Sequence, residues 1–242
     1  MNLTILQWNI WYREDIRNIA QFLKGHPADI ICLQELTIRS APEIGYGPHY
    51  IAEQLGYNQY HKEINLGDGK INLANGIFTR FPITQRHFAW INEPQSTGGY
   101  DDEYRAYVEV VVDVEGKRIR IGTAHMSYTH QFEPTERKRE ETDRLMAQLA
   151  RKDGPLVFTG DLNASPDSYT IHAVANTLNN MGPGYEERTW ATKPFSYGGF
   201  EETELAWRLD YIFATPDVKP LKAEILRTEY SDHLPVWAKL DI

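Results

Sequence analysis

The sequence predicts an α/β fold of two sheets in one domain spanning residues 1–242. Three observations carry this reading. The opening segment runs strand, helix, strand, which is a parallel unit. Short apolar segments then recur between turn signals, among them a hairpin about Glu115-Gly116. No internal repeat, low-complexity tract or composition shift marks a linker.

In chain order, residues 3–8 form a buried strand that ends at Asn9. Residues 13–24 show helical periodicity, with Ile16, Ile19, Ala20 and Leu23 on one face. Gly25 suits the position after the helix, and Pro27 lies just beyond. Residues 28–33 make a second apolar strand, ending at Gln34-Glu35. Residues 40–48 read as a loop, 49–55 as a short helix and 57–64 as a strand. Residues 66–72 form a polar loop that turns at Gly67-Asp68-Gly69. Strands follow at 73–79 and 83–90, joined around Arg80-Phe81-Pro82.

Residues 92–103 are glycine-rich and acidic and are expected to be mobile. Residues 104–114 and 117–124 form the hairpin, and its second strand ends at His125. Residues 134–151 make a charged helix with Pro134 in its first turn. Arg137–Glu141, Arg139–Asp143 and Glu140–Arg144 are spaced as ion pairs along it. Acids interleave Arg137-Lys138-Arg139, so the run reads as a solvated face rather than a nucleic-acid patch. Residues 156–159 are a strand ending in Gly160-Asp161-Leu162-Asn163. A helix at 167–178 and a long aromatic-rich loop at 180–200 come next. Strands at 209–214, 222–226 and 236–240 complete the chain.

A length of 242 residues is long for one domain but within reach of a sheet-rich one. The single cysteine, Cys32, lies in an apolar run and is expected to pack in a strand. It excludes a disulfide framework and a multi-cysteine zinc site. No apolar run approaches the length of a membrane span. The first residues enter a strand directly, so no targeting segment is expected, and the cytoplasm is the expected location. The net charge of -9 excludes a protein that holds nucleic acid by overall charge. It leaves a small substrate, or a local basic patch working with a divalent metal. Carboxylates gathered around a cation also give an acidic total.

Six segment ends supply Asn9, Glu35, His125, Asp161 with Asn163, Asp210, and Asp232 with His233. Sites in sheet proteins collect where strands end and loops begin. All these residues are acids, amides or histidines. None is a Ser or Cys placed for a nucleophilic triad, and no Walker-type phosphate loop occurs. The set fits metal-assisted attack of water on a phosphate ester, which needs a hard cation, a base for water and donors to the phosphate oxygens. Magnesium takes one or two carboxylates and keeps several waters, so Glu35 with few helpers can anchor it.

Gln7-Trp8-Asn9, Leu33-Gln34-Glu35, Gly160-Asp161-Leu162-Asn163, Arg208-Leu209-Asp210-Tyr211-Ile212 and Ser231-Asp232-His233 occur in this order over nearly the whole chain. The series resembles the endonuclease/exonuclease/phosphatase superfamily of deoxyribonuclease I-like metal-dependent hydrolases. That resemblance implies a four-layer α/β sandwich: two packed mixed β-sheets with helices on the outer faces. It implies Glu35 as the principal Mg2+ ligand (Mn2+ a substitute), with Asn9 beside it and Asp232 in support. It implies Asp161 as the group that activates water and Asn163 as the group that orients that water or the phosphate. His233 then contacts the scissile phosphate, held in tautomer by Asp210. His125 stands where many members carry a second histidine for the phosphate or leaving group.

Plainer roles compete for some of these. Asn9 suits a turn cap, Arg105 a surface ion pair, and Asp210 a pairing with Arg208 alone. His26, His49, His61, His87, His130 and His172 lack site context. Trp11, Arg13 and Arg105 are the candidate substrate contacts. Trp90, Tyr100, Tyr104, Trp190, Phe195, Tyr197, Phe200 and Trp207 crowd other loops, where they can stack bases, wall a pocket or pack on their own scaffold. The leading reading is a Mg2+-dependent phosphodiesterase acting on nucleic acid. The second is a phosphatase or phospholipase C-like hydrolase of an inositol phosphate or sphingomyelin-type ester. The third is an inactive binding scaffold, against which the intact set argues. No protein partner is implied, and a monomer is expected.

Overall fold

The computed structural model describes residues 1–39, 44–66, 71–95 and 103–242. The chain opens with β1 (Asn2–Asn9), α1 (Ile16–Gly25), β2 (Ile30–Thr37) and α2 (Gly47–Leu55). It continues with β3 (Asn58–Leu66), β4 (Ile71–Thr79), β5 (Ile83–Asn92), β6 (Arg105–Val114) and β7 (Lys117–His125). A 3-10 turn, His130–Phe132, leads into α3 (Glu136–Leu149), β8 (Leu156–Asp161) and α4 (Tyr169–Ala175). The remainder is β9 (Asn179–Asn180), β10 (Phe195–Tyr197), β11 (Phe200–Glu202), β12 (Asp210–Ala214), β13 (Lys219–Ile225) and β14 (Val236–Asp241).

These strands form two mixed sheets of six, in the orders β13-β14-β1-β2-β4-β3 and β5-β6-β7-β8-β12-β9, and a small β10-β11 hairpin. Alternation along each strand sends one set of side chains between the sheets and the other outward. Leu3, Ile5, Cys32 and Ile77 of the first sheet meet Val108, Val110, Ile121 and Ile212 of the second. Outward, Trp8, Ile31, Leu33 and Phe78 pack with Ile19, Leu23 and Ile51 of α1 and α2. Tyr107, Phe158 and Phe213 pack with Leu145, Leu149 and Ile171 of α3 and α4. The result is four layers, helix, sheet, sheet, helix. Each fully buried aliphatic side chain contributes about 1.5–3 kcal/mol to that packing.

Topology puts the six polar strand ends together. β1 and β2 run parallel, as do β7 and β8, so Asn9, Glu35, His125 and Asp161 lie at one end of the sandwich. β12 runs antiparallel to β8, which sets its first residue, Asp210, opposite Asp161. β14 is antiparallel to β1 with Val236 opposite Gln7, so the preceding His233 enters the same end.

Several local expectations shift. The first helix begins at Ile16, not residue 13, because the Asp15 side chain accepts the Arg17 N–H as an N-cap. The charged helix is shorter than 134–151, starting after the cap Thr135, whose side chain accepts from the Lys138 N–H. Likewise Ser168 caps α4. The strands on either side of Arg80-Phe81-Pro82 belong to different sheets, so that bend is a crossing rather than a hairpin. The loop at 180–200 holds the last residue of β9, all of β10 and the first residue of β11. Along α3 only part of the expected pairing is seen. Glu140 and Arg144 pair at 3.2 Å, but Glu141 turns inward to accept the Ser127 N–H and Arg137 donates to Asn92. Lys138, read as solvated, is buried. The turn at Gly67-Asp68-Gly69 and residues 96–102, which include Tyr100 and most of the stretch expected to be mobile, lie outside the described residues. No helix among the described residues is long and apolar enough to cross a membrane.

Candidate active site

Backbone irregularity delivers the first carboxylate. The pairing of β2 with β4 shifts register between Leu33 and Leu36, and Glu35 within that bulge has φ 56°. A non-glycine residue in the left-handed region costs free energy that surrounding structure must offset. Here Tyr12 N–H donates to Glu35 Oε2 at 3.1 Å and Asn9 Nδ2 to Oε1 at 3.2 Å. Trp11 (φ 56°) and Asn163 (φ 44°) share the left-handed conformation, so three strained positions ring one site. Gly160, just before Asp161, is required by close approach: a Cβ there would sit 2.3 Å from Ala124 O on β7.

Asn9 joins two carboxylates. Its Nδ2 also donates to Asp161 Oδ2 at 3.0 Å, and its Oδ1 accepts from Trp11 N–H at 3.1 Å. Its oxygen is thus used locally, and its amide nitrogen faces Glu35 and Asp161. Asp161 Oδ1 accepts the Asn163 N–H at 3.0 Å. The Asn163 amide donates to Met126 O at 2.9 Å and approaches His125 Nε2 at 3.2 Å. Those contacts fix both residues at the ends of β7 and β8.

His233 is held on every side. Its Nδ1 lies 2.8 Å from Asp210 Oδ2, leaving Nε2 to face Asp161 Oδ2 at 3.6 Å. Gln7 Nε2 donates to the other Asp210 oxygen at 2.7 Å. Ser231 Oγ donates to Asn9 O and accepts the His233 N–H, and Trp8 Nε1 donates to His233 O. Asp232 Oδ2 accepts from Trp190 Nε1 at 3.1 Å.

Electrostatics separate the two histidines. Burial opposes charge on His233, but Asp210, Asp161 and Asp232 outweigh it and hold the imidazole well above its usual range. Burial, joined by the cations Arg105, His233 and Lys138, pushes His125 well below that range. The two rings are thus pushed in opposite directions, His233 toward the charged form and His125 toward the neutral one, which weighs against an ion pair in the 3.5 Å contact of His125 with Asp161. Burial raises Glu35 to about 7, aided by the charge of Asp232. Burial raises Asp161 to about 6, with Asp210 adding to it and His233 opposing.

Those raised carboxylates test the site for a cation. Glu35 and Asp161, whose ionisation burial opposes, offer hard oxygen donors together with Asp232, and a divalent ion would offset the cost of their charge. Ligand atoms of Asp161, Asp210 and His233 also lie within 4.8 Å of one another. Both Asp210 oxygens are engaged by His233 and Gln7, however, and a charged imidazole repels a cation. The Glu35 side therefore suits an ion better. Among the candidate substrate contacts, Trp11 is half-buried beneath Lys193 Nζ at 5.3 Å, and Arg13 is exposed beside Tyr12. Arg105 pairs with Glu103 at 2.6 Å, and the pair is buried rather than on the surface. Its Nε is buried with no hydrogen-bond partner among the described residues.

Sequence reading gave no site role of their own to Gln7, Ser231, Trp190 and Lys138. Lys138 Nζ donates to Ser127 O at 2.7 Å and Leu162 O at 2.8 Å, tying the loops that follow His125 and Asp161. Burial lowers its amine to about 8 against the pull of Glu141 and Asp161. Gln7 had a legible signal, an amide inside an apolar strand. Lys138 had none, since its helix is charged throughout.

The fold is that of a family whose members are phosphoric ester hydrolases. The model of the Endonuclease/Exonuclease/phosphatase family matches residues 6–233, and the chain belongs to that family. A curated relative, the CCR4-Not complex 3'-5'-exoribonuclease subunit Ccr4 of Neosartorya fischeri, is 24% identical over 308 aligned positions. The match covers 95% of this chain but 39% of that protein, so the chain spans about two fifths of its length. An endonuclease/exonuclease/phosphatase structure from Beutenbergia cavernae superposes with TM-score 0.78 at 23% identity, over 99% of this chain and 71% of that one. A mannosyl-6-phosphatase from Bacteroides thetaiotaomicron gives 0.73 at 19% identity, over 99% and 100%. These structural likenesses concern the fold.

Proposed function

We propose that the protein is a Mg2+-dependent phosphodiesterase, with nucleic acid as its leading substrate, that hydrolyses its ester by in-line attack of water. One observation carries the reading: a buried His233 locked by Asp210 on Nδ1, with Nε2 turned toward Asp161. Glu35 and Asp232 would hold the cation, and Asn9 would set the angle between Glu35 and Asp161. A divalent ion bound there would neutralise charge on a phosphate oxygen and on the leaving group. Asp161, with its acidity near neutral pH, accepts a proton from the attacking water. Asn163 fixes that carboxylate through its backbone N–H. Charged His233 donates from Nε2 to a phosphate oxygen as negative charge builds in the transition state. Neutral His125 hydrogen-bonds the phosphate or leaving group without adding charge.

The exoribonuclease relative and the paired aromatics and cations near the site support nucleic acid. The phosphatase alternative rests on the second histidine and on the mannosyl-6-phosphatase fold neighbour. A panel of single-stranded and duplex DNA, RNA, inositol phosphates, mannose 6-phosphate and sphingomyelin, assayed with Mg2+, tests the choice. Release of nucleotides or fragments from a polynucleotide is expected. Turnover of monoesters or lipid alone would overturn the nucleic-acid reading.

A further inference from the structure

Beyond the catalytic cluster, the edge strands β3 and β5 carry an exposed strip of rings and cations. Arg86, Phe88 and Trp90 alternate along β5, so they share a face. Phe88 and Trp90 are 5.7 Å apart, and Trp90 and Tyr104 are 4.9 Å apart. Lys62 of β3 places Nζ 4.3 Å from the Phe88 ring and 4.9 Å from the Trp90 ring. Phe88 is 38% exposed and Tyr104 36%. Exposed aromatics gathered in one place mark interaction surfaces more often than scattered ones do.

The strip leads to the catalytic end. Trp90 lies opposite Ala106 on β6, and the next residue, Tyr107, lies opposite Ala124 on β7. His125 follows Ala124. Trp90 is therefore two strand spacings, about 10 Å, from the strand end that carries His125. It packs against the inter-sheet core together with Ala106, Ile119 and Ile121, and His125 continues the alternation of those last two. Among the described residues, cations face the rings although the whole chain is acidic. Lys62 and Arg86 line the strip, while Glu63 is turned to Tyr46 and Glu103 is paired with Arg105.

We propose that Phe88, Trp90 and Tyr104, with Lys62 and Arg86, form a binding track for a single-stranded nucleic acid whose scissile phosphate lies at His233. This rests on the phosphodiesterase reading above and adds where the rest of the strand runs. Bases stack on the rings irrespective of sequence, and the two cations follow the backbone. A duplex, with its bases already stacked, gains nothing from the rings.

The test is fluorescence anisotropy of labelled single-stranded and duplex oligonucleotides with the full chain in EDTA, joined to Mg2+-dependent turnover of bis(p-nitrophenyl) phosphate. The Phe88→Ala, Trp90→Ala double variant is expected to bind single strands about tenfold or more weakly. It keeps its turnover of the small ester. Phe88→Tyr and Trp90→Phe retain rings and binding, which separates lost stacking from lost folding. Lys62→Met lowers the slope of log affinity against log salt by about 0.7. Wild-type affinity for single strands in the double variant, or no binding by the wild type, would overturn the track. Strip-dependent binding without cleavage of any ester would support the track and overturn only the hydrolytic reading.

Discussion

Asp210 Oδ2 lies 2.8 Å from His233 Nδ1, and both side chains are buried at the junction of the two sheets. Asp210 opens β12 of one sheet and His233 precedes β14 of the other, so the pair exists only when the sandwich is closed. The contact fixes the orientation of the ring and favours its charged form.

Asp210→Asn is expected to reduce kcat by about 10^2- to 10^4-fold, the range for losing an acid–base group. It also lowers the pH at which the His233 ring titrates by NMR. A raised histidine pKa stabilises the fold below the ordinary value of 6.5, and that gain is lost as pH rises through the folded value. In the variant this loss of stability begins at lower pH. An unchanged ring titration would contradict the assigned contact.

Glu35 and Asp161 set a second pH dependence. Glu35 is raised from 4.5 to about 7 and Asp161 from 3.8 to about 6. The folded state holds these protons longer than the unfolded chain, so stability falls as pH rises through the interval between those values. A cation that binds the ionised site reverses the loss. Calorimetry is therefore expected to show a larger Mg2+-induced rise in Tm near about pH 7 than near about pH 5. Equal shifts at both would argue against Glu35 as a ligand.

Trp190→Phe removes the 3.1 Å hydrogen bond to Asp232 but keeps most of the ring packing. Outer hydrogen bonds of this kind tune metal affinity by about 10- to 100-fold. The apparent Kd for Mg2+ should rise by that factor, while kcat at saturating Mg2+ is largely retained. Titration of activity against Mg2+ distinguishes the two quantities.

Lys138→Met unties the Ser127 and Leu162 carbonyls and is expected to lower kcat by about 10- to 100-fold through misplacement of His125 and Asp161. It leaves a pH signature as well. Burial lowers the Lys138 pKa from 10.5 to about 8, so the buried charge weakens the fold below about pH 8. That penalty, roughly 3 kcal/mol, is relieved as pH rises from the folded value toward the unfolded one. Urea titrations should show the rise in the wild type and not in the variant.

The parallel opening unit and alternating strands made an α/β fold of two sheets legible, and the family resemblance implied the sandwich. The cluster was legible because Asn9, Glu35, His125, Asp161 and His233 stand at strand ends. The contacts that orient them were hidden. Gln7 reaches Asp210 across 203 residues, and Trp190 reaches Asp232 across 42. Spacing along a chain carries no information about such partners. Lys138 was misread because a charged helix looks solvated on every face, whereas packing against the ends of β7 and β8 buries one of its cations. The β10-β11 hairpin escaped because its strands are short and lie in a loop dense with turn residues.

The most direct measurement is release of nitrophenol from bis(p-nitrophenyl) phosphate by the wild type, His233→Ala and Asp161→Ala, each with Mg2+ and with EDTA. Circular dichroism on the same samples confirms that the variants keep the fold. The predicted result is Mg2+-dependent turnover by the wild type, its abolition by EDTA, and its loss in both variants. Full activity in either variant, or wild-type turnover that survives EDTA, would contradict the mechanism.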